Sequence, residues 1–409
     1  MCSSDLGPGT VFVSLPARAR LNPFEARAAK ERGAKVMVRE RTDRASAPPG
    51  VLCIEVEDAG RAFGLLASAL HGHPSRRMTV LGIGGEPTWR ERVAGRLVGL
   101  LGSSGDPVAW MSGAWLVRGD RRMPWDAPRM DAGGLQAEMQ RWVDHGTRWC
   151  VVELGDAALV HDAVHGVEFR MVRDARAGDS AGLVPERLTV RGTKARWDGA
   201  GGGRPLLTPV AGRSQVAALG QAMALLAELG HAPARLASAA SVAPAIPGWM
   251  EPVQMGQRFG VFVDGADCAA SLAEALKDAR ELAGGRLILV TGPRPGLDAA
   301  GLMAMAQVAG DGADEVVVTT DDLCGLEWEE AARAFAGGVA AQGGVVGLER
   351  DRHCAVARAV GMARPGDVVV LAGKGRRRVQ AIGRARVPWD DAEHARHALA
   401  SRGHVGGTL

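Results

Sequence analysis

Four short apolar segments decide the fold class of this chain: FGVFVDG (259–265), RLILVTG (286–292), DEVVVTT (314–320) and DVVVLAG (367–373). Their β-branched residues are typical of strands buried on both faces. Segments with helical periodicity lie between or beside them, at 271–283, 298–309, 329–336 and 351–363. The alternation predicts a mostly parallel, doubly wound sheet, in which ligands bind beyond the carboxyl ends of the strands. Those ends are Asp264, Gly292, Asp321 and Gly373-Lys374-Gly375.

Two further α/β patterns precede this sheet. TVFVSL (10–15), KVMV (35–38) and VLCIEV (51–56) are predicted strands of a small unit that ends near residue 76. MTVLGIGG (78–85) then runs into glycines, and RERVAGRLVGLL (90–101) has helical periodicity. A strand, a glycine turn and a helix in this order are the opening of a nucleotide-binding α/β domain.

Composition indicates an ordinary globular protein. Hydrophobic residues make up 46% and charged residues 23% of the 409, and the net charge is only +3. A charge this small gives no argument for nucleic acid or an anionic membrane as partner, and no apolar run approaches the length of a membrane span. None of the six cysteines forms a CxxC pair, so neither a zinc nor a redox motif is written here. A cytoplasmic location is the simplest interpretation.

Several motifs occur together in a fixed order: HGHPSRRMTVLGI (71–83), TPVAGR (208–213), PGWME (247–251), DRHCAVARAVGMARPGDVVVLAGKG (351–375) and VPWDDAEHARHAL (387–399). In order and spacing the chain resembles the Mur ligases of peptidoglycan synthesis. It resembles most closely the UDP-N-acetylmuramoyl-tripeptide synthetases, which add the third residue, diaminopimelate or lysine, to UDP-MurNAc-L-Ala-D-Glu.

The resemblance implies an α/β fold with the three-domain Mur ligase architecture. Residues 1–76 would form a truncated UDP-substrate-binding-like domain, because the family's uridine-contacting D-S-R would lie upstream of the residues present. Residues 77–246 would form a shortened, degenerate P-loop-like central domain related to ATPases. Residues 247–409 would form the Rossmann-like C-terminal domain that holds the incoming amino acid.

The aligned phosphate loop departs from the family pattern T-G-T-N-G-K-T. The stretch here is GGEPTWR (84–90), in which Pro87 has no N–H to donate. Trp89 stands at the lysine position and Arg90 at the threonine position. Gly84, Gly85 and Arg90 are the candidate nucleotide-binding residues of this degenerate loop. The alternative is a strand–turn–helix corner that binds nothing.

Magnesium ligands are eroded as well. Glu153 aligns with a magnesium-binding glutamate and is predicted to be a vestigial metal ligand, while Ala157 replaces a histidine. One carboxylate does not hold magnesium without further oxygen ligands. The family's T-N-L-x-x-D-H-L-D segment and its carbamylated lysine have no counterpart in the sequence.

Six residues are predicted remnants of the substrate pocket: Arg213, Asp264, Asp321, Gly373, Lys374 and Arg377. Cys324 replaces an arginine that would pair with a carboxylate. Arg377 stands where the family has the acid that meets the substrate's amino group. If the pocket binds anything, we expect Arg377, with Lys374 and Arg376, to favour an anion over a diamino acid. An exposed basic loop without a ligand is the alternative.

These changes cluster at strand ends, whereas the apolar strands persist. We therefore expect a non-catalytic protein of peptidoglycan-precursor synthesis, a scaffold or regulator whose partner is another cytoplasmic enzyme of that pathway, with no cofactor. One alternative is an active ligase with a rebuilt site that uses ATP and magnesium. Another is a binder of the UDP-sugar-peptide that does not turn it over. A nucleic-acid binder that uses the arginines at 376–378, 384 and 386 is the least supported.

Overall fold

The computed structural model describes residues 10–15, 23–42, 48–112, 115–119, 121–124, 131–155, 163–322, 328–382 and 385–404. The chain divides into two compact units, one formed by Met1–Ala94 with Gly105–Ala175 and the other by Gly95–Ser104 with Arg176–Leu409. Both contain strands and helices, so the predicted α/β class is confirmed. Among the helices in the described ranges, none combines the length and apolarity that a bilayer crossing requires.

The first unit contains two sheets. Its strands are β1 (Val11–Val13), β2 (Val36–Glu40), β3 (Leu52–Val56), β4 (Thr79–Gly85), β5 (Val108–Met111), β6 (Trp115–Arg118), β7 (Arg121–Pro124), β8 (Trp149–Glu153) and β9 (Met171–Ala175). Its helices are α1 (Pro23–Glu31), α2 (Ala59–Leu70), the first part of α3 (Pro87–Ser103) and α4 (Ala132–Asp144). The small sheet is parallel with the order β1-β2-β3, and the large sheet has the order β7-β6-β5-β8-β4-β9.

The centre of the large sheet follows from the apolar sequence. β4 lies between β8 and β9 and pairs with both in parallel, and Val80 of β4 and Val151 of β8 are fully buried. β5 extends the parallel part, while β6 and β7 add an antiparallel hairpin that the sequence did not predict. β4 ends at Gly85 and α3 begins at Pro87, so the predicted strand–turn–helix corner is confirmed.

Helix α2 packs closely, backbone against backbone, on the segment that contains His165 and Gly166. An ideal Cβ built on Gly64 would overlap the backbone of His165, and one built on Gly166 would overlap the backbone of Gly64. The segment before β4 contacts the chain just after Gly166, because Ser75 Oγ accepts a hydrogen bond from the amide of Glu168 at 3.1 Å. The two sheets of the first unit therefore belong to one packed body.

The second unit contains a three-stranded antiparallel sheet, a two-stranded antiparallel sheet formed by β19 and β20, and a large sheet. Its strands are β10 (Leu183–Thr189), β11 (Gly192–Trp197), β12 (Arg204–Thr208), β13 (Glu251–Pro252), β14 (Gly260–Asp264), β15 (Leu287–Thr291), β16 (Glu315–Val318), β17 (Val345–Leu348), β18 (Val368–Ala372), β19 (Val379–Ile382) and β20 (Ala385–Pro388). Its helices are α5 (Arg213–Glu228), α6 (Pro233–Ser241), α7 (Ala269–Leu282), α8 (Ala299–Gly312), α9 (Trp328–Ala341), α10 (Arg352–Met362) and α11 (Asp391–Ser401). β10-β11-β12 is a regular antiparallel sheet in a stretch of the sequence that is rich in Gly, Arg and Asp.

The large sheet has the order β13-β14-β18-β15-β16-β17. All pairs are parallel except the short β13–β14 edge, so the predicted mostly parallel sheet is confirmed. Hydrophobic cores lie on both faces, with Phe262 and Leu289 in one and Val261 and Ile288 in the other. Burial on both faces explains why these strands are continuously apolar. The carboxyl ends of β14, β18 and β16 consequently bring their terminal residues to one edge.

Candidate functional site

The degenerate phosphate loop forms a strand–turn–helix corner, and its one cation, Arg90, is hydrogen-bonded to the loop's own backbone. Gly84 is buried at the end of β4, and Gly85 adopts a positive φ of 93° that only glycine accepts readily. Arg90, on the first turns of α3, donates from Nη1 to the carbonyl of Gly85 at 2.9 Å. Its guanidinium therefore braces the turn that a nucleotide phosphate would have to enter.

Trp89 occupies the position at which the resemblance puts a lysine. Its side chain is buried at 2% exposure, and the guanidinium carbon of Arg92 lies 5.6 Å from the centre of its ring. Arg92 is itself fully buried. This cation–π arrangement makes Trp89 part of the packing beneath the loop.

Glu153, the predicted vestigial metal ligand, is buried at the end of β8. Its Oε1 accepts a hydrogen bond from Trp110 Nε1 at 2.9 Å, and its exposure is 5%. In the described parts of the chain, no group of three or more His, Cys, Asp or Glu residues is placed to hold a metal ion. Ala157 lies outside the described residues.

These contacts do not fit ATP-magnesium as the family binds it. A phosphate loop offers backbone amides, a lysine and a hydroxyl. This corner instead offers the buried indole of Trp89, a guanidinium bonded to its own turn, and the exposed carboxylate of Glu86. The carboxylate of Asp174 also lies against Gly84, close enough to overlap an ideal Cβ there. Two carboxylates beside the loop would repel a polyphosphate.

The second candidate site lies at the carboxyl ends of β14, β16 and β18. Asp264, at the end of β14, is fully buried, and its carboxylate accepts hydrogen bonds from the amides of Met250 and Ala266, both at 2.9 Å. Its carbonyl accepts from the amide of Gly373 at 3.0 Å. Asp264 thus holds two loops in place around the neighbouring strand end.

Four charged residues beyond β16 and β18 form what we call the strand-end cluster: Asp321, Asp322, Lys374 and Arg377. Arg377 Nη2 donates to both carboxylate oxygens of Asp321 at 3.0 Å, and its Nη1 donates to Asp322 at 3.1 Å. Lys374 Nζ donates to Asp322 Oδ1 at 2.5 Å and to the carbonyl of Val379 at 3.0 Å. Two cations face two carboxylates, so the cluster is electrically balanced.

Burial sets the protonation behaviour of this cluster. Burial lowers the pKa of Lys374, and the adjacent Arg377 charge adds to this, while Asp322 and Asp321 oppose it. Burial opposes ionisation of Asp322, yet hydrogen bonds from Lys374 and the Ala381 amide hold its pKa below the usual value. The contact of 2.5 Å between Lys374 Nζ and Asp322 Oδ1 is typical of a charge-assisted hydrogen bond from an ammonium group to a carboxylate.

A deeper ion pair supports the cluster. Arg352 and Asp391 have side-chain exposures of 1% and 0%, and they meet through two parallel hydrogen bonds of 2.9 and 2.6 Å. Arg352 Nη2 also donates to the carbonyl of Ala372, the last residue of β18, at 3.0 Å. Trp389 Nε1 donates to Asp391 at 2.7 Å. The pair therefore fixes the strand end from which Gly373 and Lys374 project.

Arg213 pairs with Glu281 and not with a residue of the strand-end cluster. It begins α5 and donates from Nε to both carboxylate oxygens of Glu281 on α7, at 3.1 and 3.0 Å. The neighbouring Ser214 amide donates to Asp278 of the same helix at 3.0 Å. These contacts make Arg213 a clamp between helices in this structure.

The structure therefore joins Asp264, Asp321, Gly373, Lys374 and Arg377, and it pairs Arg213 elsewhere. The prediction that Arg377 and Lys374 attract an anion loses support, because both cations already face carboxylates. Asp322 was not predicted as a site residue, although it directly follows Asp321. The buried pair of Arg352 with Asp391 was not predicted either, because the two residues are distant in sequence. Cys324 lies outside the described residues.

Comparison with known proteins gives a consistent picture. Residues 248–375 match the family model "Mur ligase, glutamate ligase domain". The UDP-N-acetylmuramoyl-L-alanyl-D-glutamate–2,6-diaminopimelate ligase of Geobacillus thermodenitrificans (strain NG80-2) is 26% identical, over 98% of this chain and 94% of its own. A solved structure of a ligase with that same name has a TM-score of 0.69 at 17% identity, covering 98% of this chain and 94% of that chain.

A solved MurF ligase from Thermotoga maritima in complex with ADP has a TM-score of 0.54 at 12% identity, covering 98% of this chain and 96% of that chain. These neighbours confirm the three-domain Mur ligase architecture, while the boundaries at 76 and 246 stay a prediction. The names of the relatives describe ligases. They therefore favour the active-ligase alternative over the expected loss of catalysis.

Proposed function

Because the chain belongs to the Mur ligase family, we propose that it acts in peptidoglycan-precursor synthesis by binding and not by ATP-driven amide formation. The observation that carries this proposal is the phosphate-loop corner. There the buried indole of Trp89 replaces the lysine that would hold the phosphates, and Arg90 is bonded to the carbonyl of Gly85. Catalysis of phosphoryl transfer depends on positioned cations at the transferred group.

The strand-end cluster supports the same proposal. In the family, the position of Arg377 carries an acid for the substrate's amino group. Here Arg377 neutralises Asp321 and Asp322 from within the chain. A diamino acid would have to displace these ion pairs before any carboxylate could receive its amine.

The decisive experiment is a direct assay for ligase activity. Purified protein is incubated with ATP-magnesium, UDP-MurNAc-L-Ala-D-Glu and either diaminopimelate or lysine, and phosphate release and tripeptide product are measured. The Geobacillus thermodenitrificans relative serves as the positive control. We expect no product above the blank. Product formed by the wild-type protein, at a rate proportional to its concentration, would refute the proposal.

Calorimetry separates binding from turnover. We expect no appreciable binding of ATP-magnesium, and a dissociation constant in the low micromolar range would contradict this. The double variant Trp89→Lys with Arg90→Thr should not rescue activity, because the residues of the second magnesium site have no counterpart in the sequence. Trp89→Phe is the packing control, since Trp89→Lys buries a charge.

An active ligase with a rebuilt site is the second candidate function. The names of relatives that cover 98% of the chain favour it, as does the ADP in the MurF neighbour. It predicts product in the assay above. It also predicts that an exposed acidic residue near the loop becomes essential, because magnesium would need new carboxylate ligands. Glu86→Gln and Asp174→Asn test this prediction directly.

We further propose that the retained role involves the UDP-sugar-peptide or another enzyme of the same pathway. Calorimetry with UDP-MurNAc-L-Ala-D-Glu tests the first, and affinity capture from native cells tests the second. A protein that binds neither the nucleotide-sugar peptide nor any precursor-synthesis enzyme would contradict the proposal. Binding of the precursor without product formation would favour the non-hydrolysing binder.

A further inference from the structure

The solvent-facing side of the three-stranded antiparallel sheet contains a cavity that the proposed function does not use. Its volume is about 470 Å³, within the range of small-molecule sites. It lies between the β10–β11 hairpin, the end of β12 and the last residue of α6. Arg187, Arg191 and Lys194 provide its charge, and Leu207 and Pro209 provide an apolar wall.

Two cations of this cavity lie opposite each other on neighbouring strands, a pairing that sheets usually avoid. Arg187 on β10 lies directly opposite Lys194 on β11. Like charges in such cross-strand positions destabilise a sheet. An ion pair between Lys194 Nζ and Glu186 Oε2 at 2.9 Å offsets the charge of Lys194. Within the described residues, Arg187 and Arg191 have no side-chain hydrogen bond or ion pair.

The turn that carries Arg191 is already ordered. The backbone amide of Arg191 donates to Thr189 Oγ1 at 3.2 Å, and that hydroxyl donates to the carbonyl of Gly192 at 2.8 Å. Thr193, on the next strand, is buried and donates to the carbonyl of Val210 at 2.7 Å. A backbone held this way fixes the point from which the Arg191 side chain leaves the turn, so the backbone does not have to be ordered when a ligand binds.

We propose that this cavity binds a small organic phosphate. Two unpaired guanidinium groups supply planar, forked donors that match phosphate oxygens, and the net positive charge favours a dianion. Leu207, 68% exposed beside them, gives the organic part an apolar surface. The proposal goes beyond the proposed function and does not depend on it, because the cavity shares no lining residue with the phosphate-loop corner or with the strand-end cluster.

The test is calorimetric titration of the full chain with inorganic pyrophosphate and with glucose 6-phosphate, using succinate as the carboxylate comparison. The test variant is Arg187→Gln with Arg191→Gln. The matched control is Arg196→Gln, because Arg196 lies on the exposed face of the neighbouring strand but pairs with Asp198 and does not line the cavity. Circular dichroism checks that each variant folds.

We expect wild-type binding of both phosphates that weakens with added salt, and weaker binding of succinate. The double variant should lose at least roughly 10-fold in affinity, from the loss of charge-assisted hydrogen bonds. Arg196→Gln should stay within about 2-fold, as expected for a charge outside the site. Phosphate binding that survives the double variant, an equal loss in the Arg196 control, or no binding by the wild type would each overturn the proposal.

Discussion

Replacing Arg352 with methionine should destabilise the C-terminal sheet in a pH-dependent way. The change leaves the carboxylate of Asp391 fully buried, with Trp389 Nε1 as a remaining donor at 2.7 Å. Breaking a buried pair by removing one partner typically costs about 3–5 kcal/mol. The variant can reduce this cost by protonating Asp391. The loss of stability therefore cannot exceed the free energy that is needed to protonate the carboxylate at the pH of the experiment.

The limit follows from linkage. An aspartate has a pKa of about 3.9 in an unfolded chain, and neutralising it costs about 1.4 kcal/mol for each pH unit above that value, or about 4 kcal/mol at pH 7. In the wild type, burial alone would raise the pKa of Asp391, but the charge and hydrogen bonds of Arg352 lower it. A lowered pKa means that the wild-type contribution is present above about pH 3.9 and is lost only as the pH falls further.

The variant should therefore lose up to about 2.7 kcal/mol more stability relative to wild type at pH 7 than at pH 5. Urea unfolding, with hydrogen exchange of peptides from β18 as the readout, measures this in the C-terminal sheet itself. Arg358→Met is the matched control on the exposed side of α10 and should cost less than about 0.5 kcal/mol. A loss that is the same at both pH values would refute the reasoning, because a purely steric effect does not depend on protonation.

Two further predictions concern the second unit, one on a pair of glycines and one on a histidine. Gly373→Ala should cost about 1–3 kcal/mol, because φ is 106° there and the new Cβ would lie 2.6 Å from the Asp321 carboxylate. Gly361→Ala, in the open on α10, should instead stabilise the protein by about 0.5–1 kcal/mol, and thermal unfolding compares the two. Burial and the charge of His353 lower the pKa of His394, so its contribution to stability is complete above about pH 6.5 and is lost as the pH falls. His394→Asn should flatten the fall in melting temperature between about pH 7.5 and about pH 5.5, and an unchanged fall would contradict this.

The large parallel sheet was predictable because its strands are buried on both faces. β14, β15, β16 and β18 read as continuous apolar runs, and each lies within a residue or two of its predicted bounds. β17 was missed because VVGL carries two exposed residues at the edge of the sheet and is too short to show periodicity. The β5–β7 strands were missed for a related reason, since hairpin strands of four residues give little pattern.

The candidate sites were harder to predict than the strands. The pattern of apolar strands correctly located Asp321 and Lys374 just beyond strand ends, and the parallel topology brings those ends to one edge. The sequence did not show that Arg377 would donate hydrogen bonds to both carboxylate oxygens of Asp321, because this contact depends on how the loop after β18 turns back. The pair of Arg352 with Asp391 is invisible in sequence for the same reason, since helix packing and not local pattern brings the two residues together.

The close approach of Gly64 and Gly166 has a consequence for how this protein can vary. The two positions are about a hundred residues apart, yet a side chain at either one would overlap the backbone of the other segment. They must therefore be inherited together. A chimera that takes the N-terminal residues from one relative and the following strands from another keeps its fit only if the first parent has glycine at position 64 and the second has glycine at position 166. Exchange of segments between relatives is thus constrained by a contact made mainly by backbone atoms.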